Sequence, residues 1–181
     1  METEQDDRSE ILKEPFRFKK ILVPLDGSEC AEMALESAMA IAQAMASELV
    51  LFRVAQPIPR THALMEMPDV YNEVVAAAYR EAEDYLRDLR ARLPDDTLRV
   101  SIEHEPADVG VARQILTYCA DKGIDLIVMS SHGYSGVRRW THGSIAEKVL
   151  RGACCATLIV RCLADFQPAS EPFDSEADAA D

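Results

Sequence analysis

Two short stretches carry the residue types that could bind a ligand. The first is Asp26-Gly27-Ser28, a carboxylate followed by a residue free to adopt positive φ and then a hydroxyl. Its carboxylate can accept a hydrogen bond from an adenine amino group or a ribose hydroxyl, or it can simply begin the turn before a helix. The second runs from Ser130-Ser131-His132-Gly133 to Gly143-Ser144. Its glycines permit close backbone approach, and a helix beginning near Ser144 would offer free amides to an anion such as phosphate. Arg138 and Arg139, between the glycines, could add charge-assisted bonds to phosphate oxygens. A competing reading stands beside this one. Ser144 with Glu147 three residues later has the pattern of a capping box, which would place Gly143-Ser144 there for folding alone.

Other chemistries lose ground on spacing. Neither the Walker pattern nor GxGxxG occurs, which argues against standard nucleotide hydrolases and dinucleotide dehydrogenases. No carboxylate, His or Lys has recognisable general-base spacing, so catalysis is not the expectation. The histidines, His62, His104, His132 and His142, show no HExxH, and His132 with His142 lack a third ligand, so no metal site is expected. Cys30, Cys119, Cys154, Cys155 and Cys162 are an odd set without CxxC spacing, and they are expected to be reduced, buried thiols. The adjacent Cys154 and Cys155 are the one place where redox or soft-metal chemistry is an alternative.

The elements that must position these stretches follow from periodicity. Residues 20–24 read as a first strand, and residues 28–46 as an amphipathic helix with Ser28 at its N-cap. Within that helix Ala34, Ala38, Ile41 and Met45 face inward. Residues 49–54 form a nearly continuous apolar strand, as burial on both faces demands. Residues 56–69, with three prolines, are expected to be a mobile excursion, and residues 70–92 a long helix. The alternation in 98–103 predicts an edge strand, 111–121 a helix closed by Gly123, and 125–129 a buried strand. A short helix over 144–151 and a last strand over 157–161 complete the pattern. Strands alternating with helices imply one doubly wound, three-layer α/β/α sandwich around a five-stranded parallel sheet.

Composition agrees with one folded unit. A chain of 181 residues, 48% hydrophobic and 28% charged, can build a single soluble core. The expected division is a flexible tail over residues 1–17, a domain over 18–163 and an acidic, disordered tail over 164–181. The net charge of -13 argues against nucleic acid or an anionic membrane surface as partner, because phosphates reward Lys and Arg. Without a signal-like or membrane-length apolar run, the expected location is the cytoplasm.

The motif Ile21-Leu22-Val23-Pro24-Leu25-Asp26-Gly27-Ser28, then Asp125-Leu126-Ile127-Val128-Met129-Ser130-Ser131-His132-Gly133, then Gly143-Ser144-Ile145-Ala146-Glu147-Lys148-Val149-Leu150, resembles the universal stress protein family. The resemblance spans about residues 18–163. ATP-binding members carry Gly, two residues, Gly, nine residues, Gly and Ser or Thr. Here Gly133, Gly143 and Ser144 match, while Ser130 stands at the first glycine, and Gly110-Val111 replaces the usual Gly-x-Pro before the third helix. The resemblance implies that Asp26 and Val54 meet an adenine flanked by Pro24 and Leu25. It also implies that Gly133, Gly143, Ser144 and Ile145 hold ribose and phosphates, with Ser130, His132, Arg138 and Arg139 alongside. ATP, with Mg²⁺ on its phosphates, is the implied ligand, and slow hydrolysis the most that is expected of it. A homodimer through Thr157, Leu158, Ile159, Val160 and Arg161 is the implied assembly, and a dimeric module without nucleotide the alternative.

Overall fold

The computed structural model describes residues 17–55, 66–94, 98–106, 110–131 and 143–162. The expected tails, except Arg17, and most of the 56–69 excursion lie outside them. Five parallel strands, β1 (Lys20–Leu25), β2 (Glu48–Ala55), β3 (Arg99–Pro106), β4 (Leu126–Ser130) and β5 (Ala156–Val160), form one sheet in the order β3-β2-β1-β4-β5. The edge position expected for residues 98–103 is thus occupied by β3.

Strand alternation divides the core in two. Ile21, Val23, Leu49, Leu51, Leu126 and Val128 point to one face, where α1 (Glu29–Glu32), α2 (Ala34–Met45) and α3 (Pro68–Arg92) cover them. Leu22, Val50, Phe52, Ile127 and Met129 point to the other, under α4 (Val111–Lys122) and α5 (Ser144–Gly152). This is the expected three-layer sandwich. Burying a side chain such as Phe52, with no exposed surface, contributes about 2 kcal/mol, so the central strands anchor everything attached to their ends.

Several boundaries differ from expectation for local reasons. The helix expected over 28–46 is interrupted at Met33, which keeps right-handed torsions (φ -60°, ψ -23°), so α1 and α2 continue in one direction. Ser28 does cap α1, its Oγ accepting from the Ala31 N–H at 3.1 Å. Pro68 starts α3 two residues earlier than expected, because a proline at the first helical position loses no hydrogen bond. Gly123 closes α4 with φ 63°, as its sequence position implied. Asp125 precedes β4 rather than opening it. Its Oδ2 accepts the backbone N–H groups of Lys19 at 2.7 Å and Lys20 at 2.9 Å, tying the entrances of β1 and β4 together.

The expectation of five reduced, buried cysteines is corrected. Only Cys119 fits it fully, 1% exposed, its thiol pushed up to about 12 by burial. Cys155 is half-buried and Cys154 exposed. Cys30 and Cys162 form a disulfide, because the end of β5 returns over the start of α1 and brings their Cα atoms to 5.4 Å. Among the described residues no helix is long and apolar enough to cross a membrane.

Candidate functional site

The sheet opens where its strand order reverses. β1 pairs with β2 over six residues but with β4 only at Ile21↔Leu126 and Leu22↔Ile127. Pro24 has no N–H to give a ladder, and beyond Leu22 β1 and β4 are no longer paired. A cleft of about 770 Å³ occupies that opening at the carboxyl ends of the strands, where ligands of open α/β sheets bind. It falls within the roughly 300–1,000 Å³ typical of small-molecule sites.

At the β1 exit, Asp26 Oδ1 accepts from the Ser28 N–H at 3.0 Å and from Ser28 Oγ at 2.6 Å. Ser28 Oγ in turn caps α1, so the carboxylate, the turn and the first helix are set by one short chain of bonds. Gly27 adopts φ +89°, which is why a glycine stands there; a Cβ would meet only the Arg53 guanidinium, at an ordinary 3.5 Å.

At the β4 exit, buried Ser131 donates its N–H to the Val160 carbonyl at 2.8 Å and accepts the Gly143 N–H at 2.7 Å. Gly143 is therefore drawn onto the strand end and serves as the N-cap of α5, in extended conformation (φ -64°, ψ 149°). The capping box that stood as the competing reading of Ser144 and Glu147 does not form. Ser144 lies one residue inside the helix, no side chain among the described residues caps it, and Glu147 pairs instead with Arg151 at 2.9 Å. Among the described residues, the first amides of α5 thus border the cleft without a side-chain acceptor, an arrangement suited to an anion.

A model of the universal stress protein family matches residues 17–161. The chain belongs to that family. Universal stress protein YxiE of Bacillus subtilis (strain 168) is 28% identical over 158 residues, which cover 80% of this chain and 99% of that one. Universal stress protein UspA from Lactobacillus plantarum has a solved structure that superposes with a TM-score of 0.70 at 27% identity, covering 81% of this chain and 100% of the other. A solved universal stress protein in complex with cAMP shares the fold at 19% identity and a TM-score of 0.51, covering 80% and 98%.

In this universal stress protein Pro24, Leu25, Asp26, Val54, Ser130, Gly143, Ser144 and Ile145 all line the same cleft. His132, Gly133, Arg138 and Arg139 lie outside the described residues. Ser130, at the position of the family's first glycine, is 6% exposed and forms part of the wall.

Sequence reasoning missed a polar wall of the universal stress protein's cleft. Arg53 on β2 reaches Glu81 on α3 at 2.9 Å, and its guanidinium lies 4.7 Å from the centre of the Tyr85 ring. Tyr85 donates its hydroxyl to Glu32 Oε1 at 3.0 Å. Burial, and then the bond to Glu32, push its phenol well above the ordinary tyrosine range, so it stays neutral. The available signal was Arg53 itself, a lone cation inside the apolar run Leu49-Val50-Leu51-Phe52-Arg53-Val54. Among the described residues no three His, Cys, Asp or Glu side chains converge as metal ligands.

Proposed function

We propose that the cleft binds an adenine nucleotide, ATP with Mg²⁺ carried on its phosphates, and that the chain works in the cytoplasm as a dimeric stress-response or signalling module rather than as an enzyme. One observation carries this reading. A carboxylate able to accept from an amino or ribose group and an uncapped helix start able to hold an anion border one cleft of nucleotide size. The apolar surface between them, from Leu25, Val54 and Met129, suits a flat base. The fold is also one on which a distant relative was solved with cAMP.

In this arrangement Asp26 accepts from the base or ribose, Gly143, Ser144 and Ile145 meet the phosphates, and Arg138 and Arg139 add charge. Mg²⁺ would offset phosphate charge, and no protein ligand for it is required. Displacement of a ribose-labelled fluorescent ATP analogue by unlabelled Mg-ATP tests the reading. Displacement that Asp26→Ala weakens in still-folded protein supports it; a label that does not bind, or binds Asp26→Ala equally well, contradicts it.

The second reading, a dimeric interaction module without nucleotide, has support of its own. β5 is a sheet edge whose Leu158 is 37% exposed, and Leu150 on the adjacent α5 is 50% exposed. Unpaired edges invite pairing with a second chain. A dimer mass in light scattering that Leu158→Lys reduces to a monomer would support assembly through β5, and a monomer mass for the wild type at micromolar concentration would exclude it.

A further inference from the structure

The two walls of the cleft belong to segments far apart in the sequence, and one covalent link joins them. Cys30 is the second residue of α1, and Cys162 lies two residues beyond β5; their disulfide spans 132 residues of chain. From Cys30 the connection to the first wall is short. Ala31, the next residue, lines the cleft, and its N–H is held by Ser28 Oγ, which is bonded to Asp26. From Cys162 the second wall is equally close. The Val160 carbonyl holds the Ser131 N–H, and the Ser131 carbonyl holds Gly143 at the start of α5. Cys154 and Cys155 precede β5 and so sit at its opposite end, roughly 20 Å away along the strand, too far to compete for either partner.

We propose that Cys30 and Cys162 are a reversible thiol–disulfide pair, a peroxide-responsive modification site that clamps the two walls when oxidised and releases them when reduced. Cys30 is half-buried and open to attack, whereas Cys162 is 7% exposed and resolves the intermediate. The Cys30 thiolate attacks hydrogen peroxide, breaking the O–O bond and giving a sulfenic acid and hydroxide, which takes up the proton that the Cys30 thiol had released and becomes water. The Cys162 sulfur then attacks the Cys30 sulfur; its proton leaves with the displaced hydroxide as a second water. Two thiols lose two electrons to the peroxide, and a small dithiol reverses the exchange. In the cytoplasm proposed above, a disulfide is characteristically of this transient, sensing kind. The consequence for ligand affinity rests on the nucleotide reading above; the clamp itself does not.

The test uses the full chain after peroxide treatment or after reduction. Alkylation with peptide mass mapping reports whether Cys30 and Cys162 are blocked. Hydrogen exchange reports the amides of residues 28–31 and 143–146, and calorimetry reports Mg-ATP affinity. The oxidised protein is expected to block both thiols, to slow exchange in both segments about tenfold, and to bind Mg-ATP about fivefold more tightly, as pre-organisation implies. Cys30→Ser, or Cys162→Ala if the first variant does not fold, removes the difference between treatments. Free thiols at both positions after peroxide, or equal exchange in both states, overturn the proposal. Slowed exchange without ATP binding in either state keeps the clamp and removes the nucleotide reading. Equal ATP binding with the disulfide formed and exchange unchanged removes the clamp and keeps the nucleotide reading.

Discussion

Gly143 donates its backbone N–H to the carbonyl of Ser131 at 2.7 Å, and this bond sets the first turn of α5 against the exit of β4. Gly143 has φ -64°, a value proline adopts without strain. Gly143→Pro therefore deletes the donor while keeping the local torsion. The expected cost is about 1 kcal/mol of stability in urea unfolding, with nucleotide affinity lowered about fivefold. An unchanged affinity in the folded variant would mean that the position of α5 does not matter to the ligand.

Asp26 and Ser28 separate folding from binding. Ser28→Ala removes the cap of α1 and the hydroxyl bond to Asp26, leaves the backbone N–H on that carboxylate, and should cost about 1 kcal/mol while lowering nucleotide affinity less than Asp26→Ala does. Asp26→Ala loses the turn bonds as well as the carboxylate, so both stability and affinity fall. Denaturation and calorimetry on the two variants check the contrast, which equal affinity losses would remove.

Arg53 lies over the Tyr85 ring and pairs with Glu81, whose side chain is 72% exposed. In Arg53→Met, Glu81 is left in solvent at little cost, while the ring loses its cation, worth about 1 kcal/mol. The positive charge of Arg53 also opposes the upward shift of the Tyr85 phenol. Urea unfolding of the variant should show a loss of about 1 kcal/mol, and an unchanged midpoint would contradict the geometry.

Burial raises the Cys119 thiol from 9.0 to about 12 and the Tyr118 phenol from 10.0 to about 12, neighbouring carboxylates adding to the latter. Both values are higher folded than unfolded, so each contribution is complete below the unfolded value and is lost as pH rises towards 12. The unfolded chain releases these protons first. By about pH 10 the Cys119 contribution should have fallen by about 1 kcal/mol. Urea midpoints are expected to drop from about pH 8 to about pH 10, and less steeply in Cys119→Ala; parallel slopes would show that the thiol is not the cause.

Much of this was legible in the sequence because it depends on local pattern. Residues 21–24, 49–52 and 126–129 are apolar on both faces, short runs of the kind a strand buried in a parallel sheet uses. Ser28 and Gly123 carry their roles in their own chemistry, a hydroxyl acceptor and freedom at positive φ. The capping-box alternative at Ser144 was not decidable from sequence, because capping depends on which residue is in extended conformation, and the long-range bond to Ser131 assigns that place to Gly143. Arg53, Glu81 and Tyr85 come from β2 and α3, so their convergence follows from helix placement that periodicity does not encode. The Cys30–Cys162 pairing is of the same kind, since residues 132 positions apart meet only once β5 has taken the sheet edge.

The most direct test of nucleotide binding is a calorimetric titration of nucleotide-stripped protein with Mg-ATP, repeated on Asp26→Ala. Saturable heat at about one ATP per chain, weakened in the folded variant, is the predicted result. No heat up to millimolar ATP would contradict the account and favour the reading without nucleotide, a proposed interaction module.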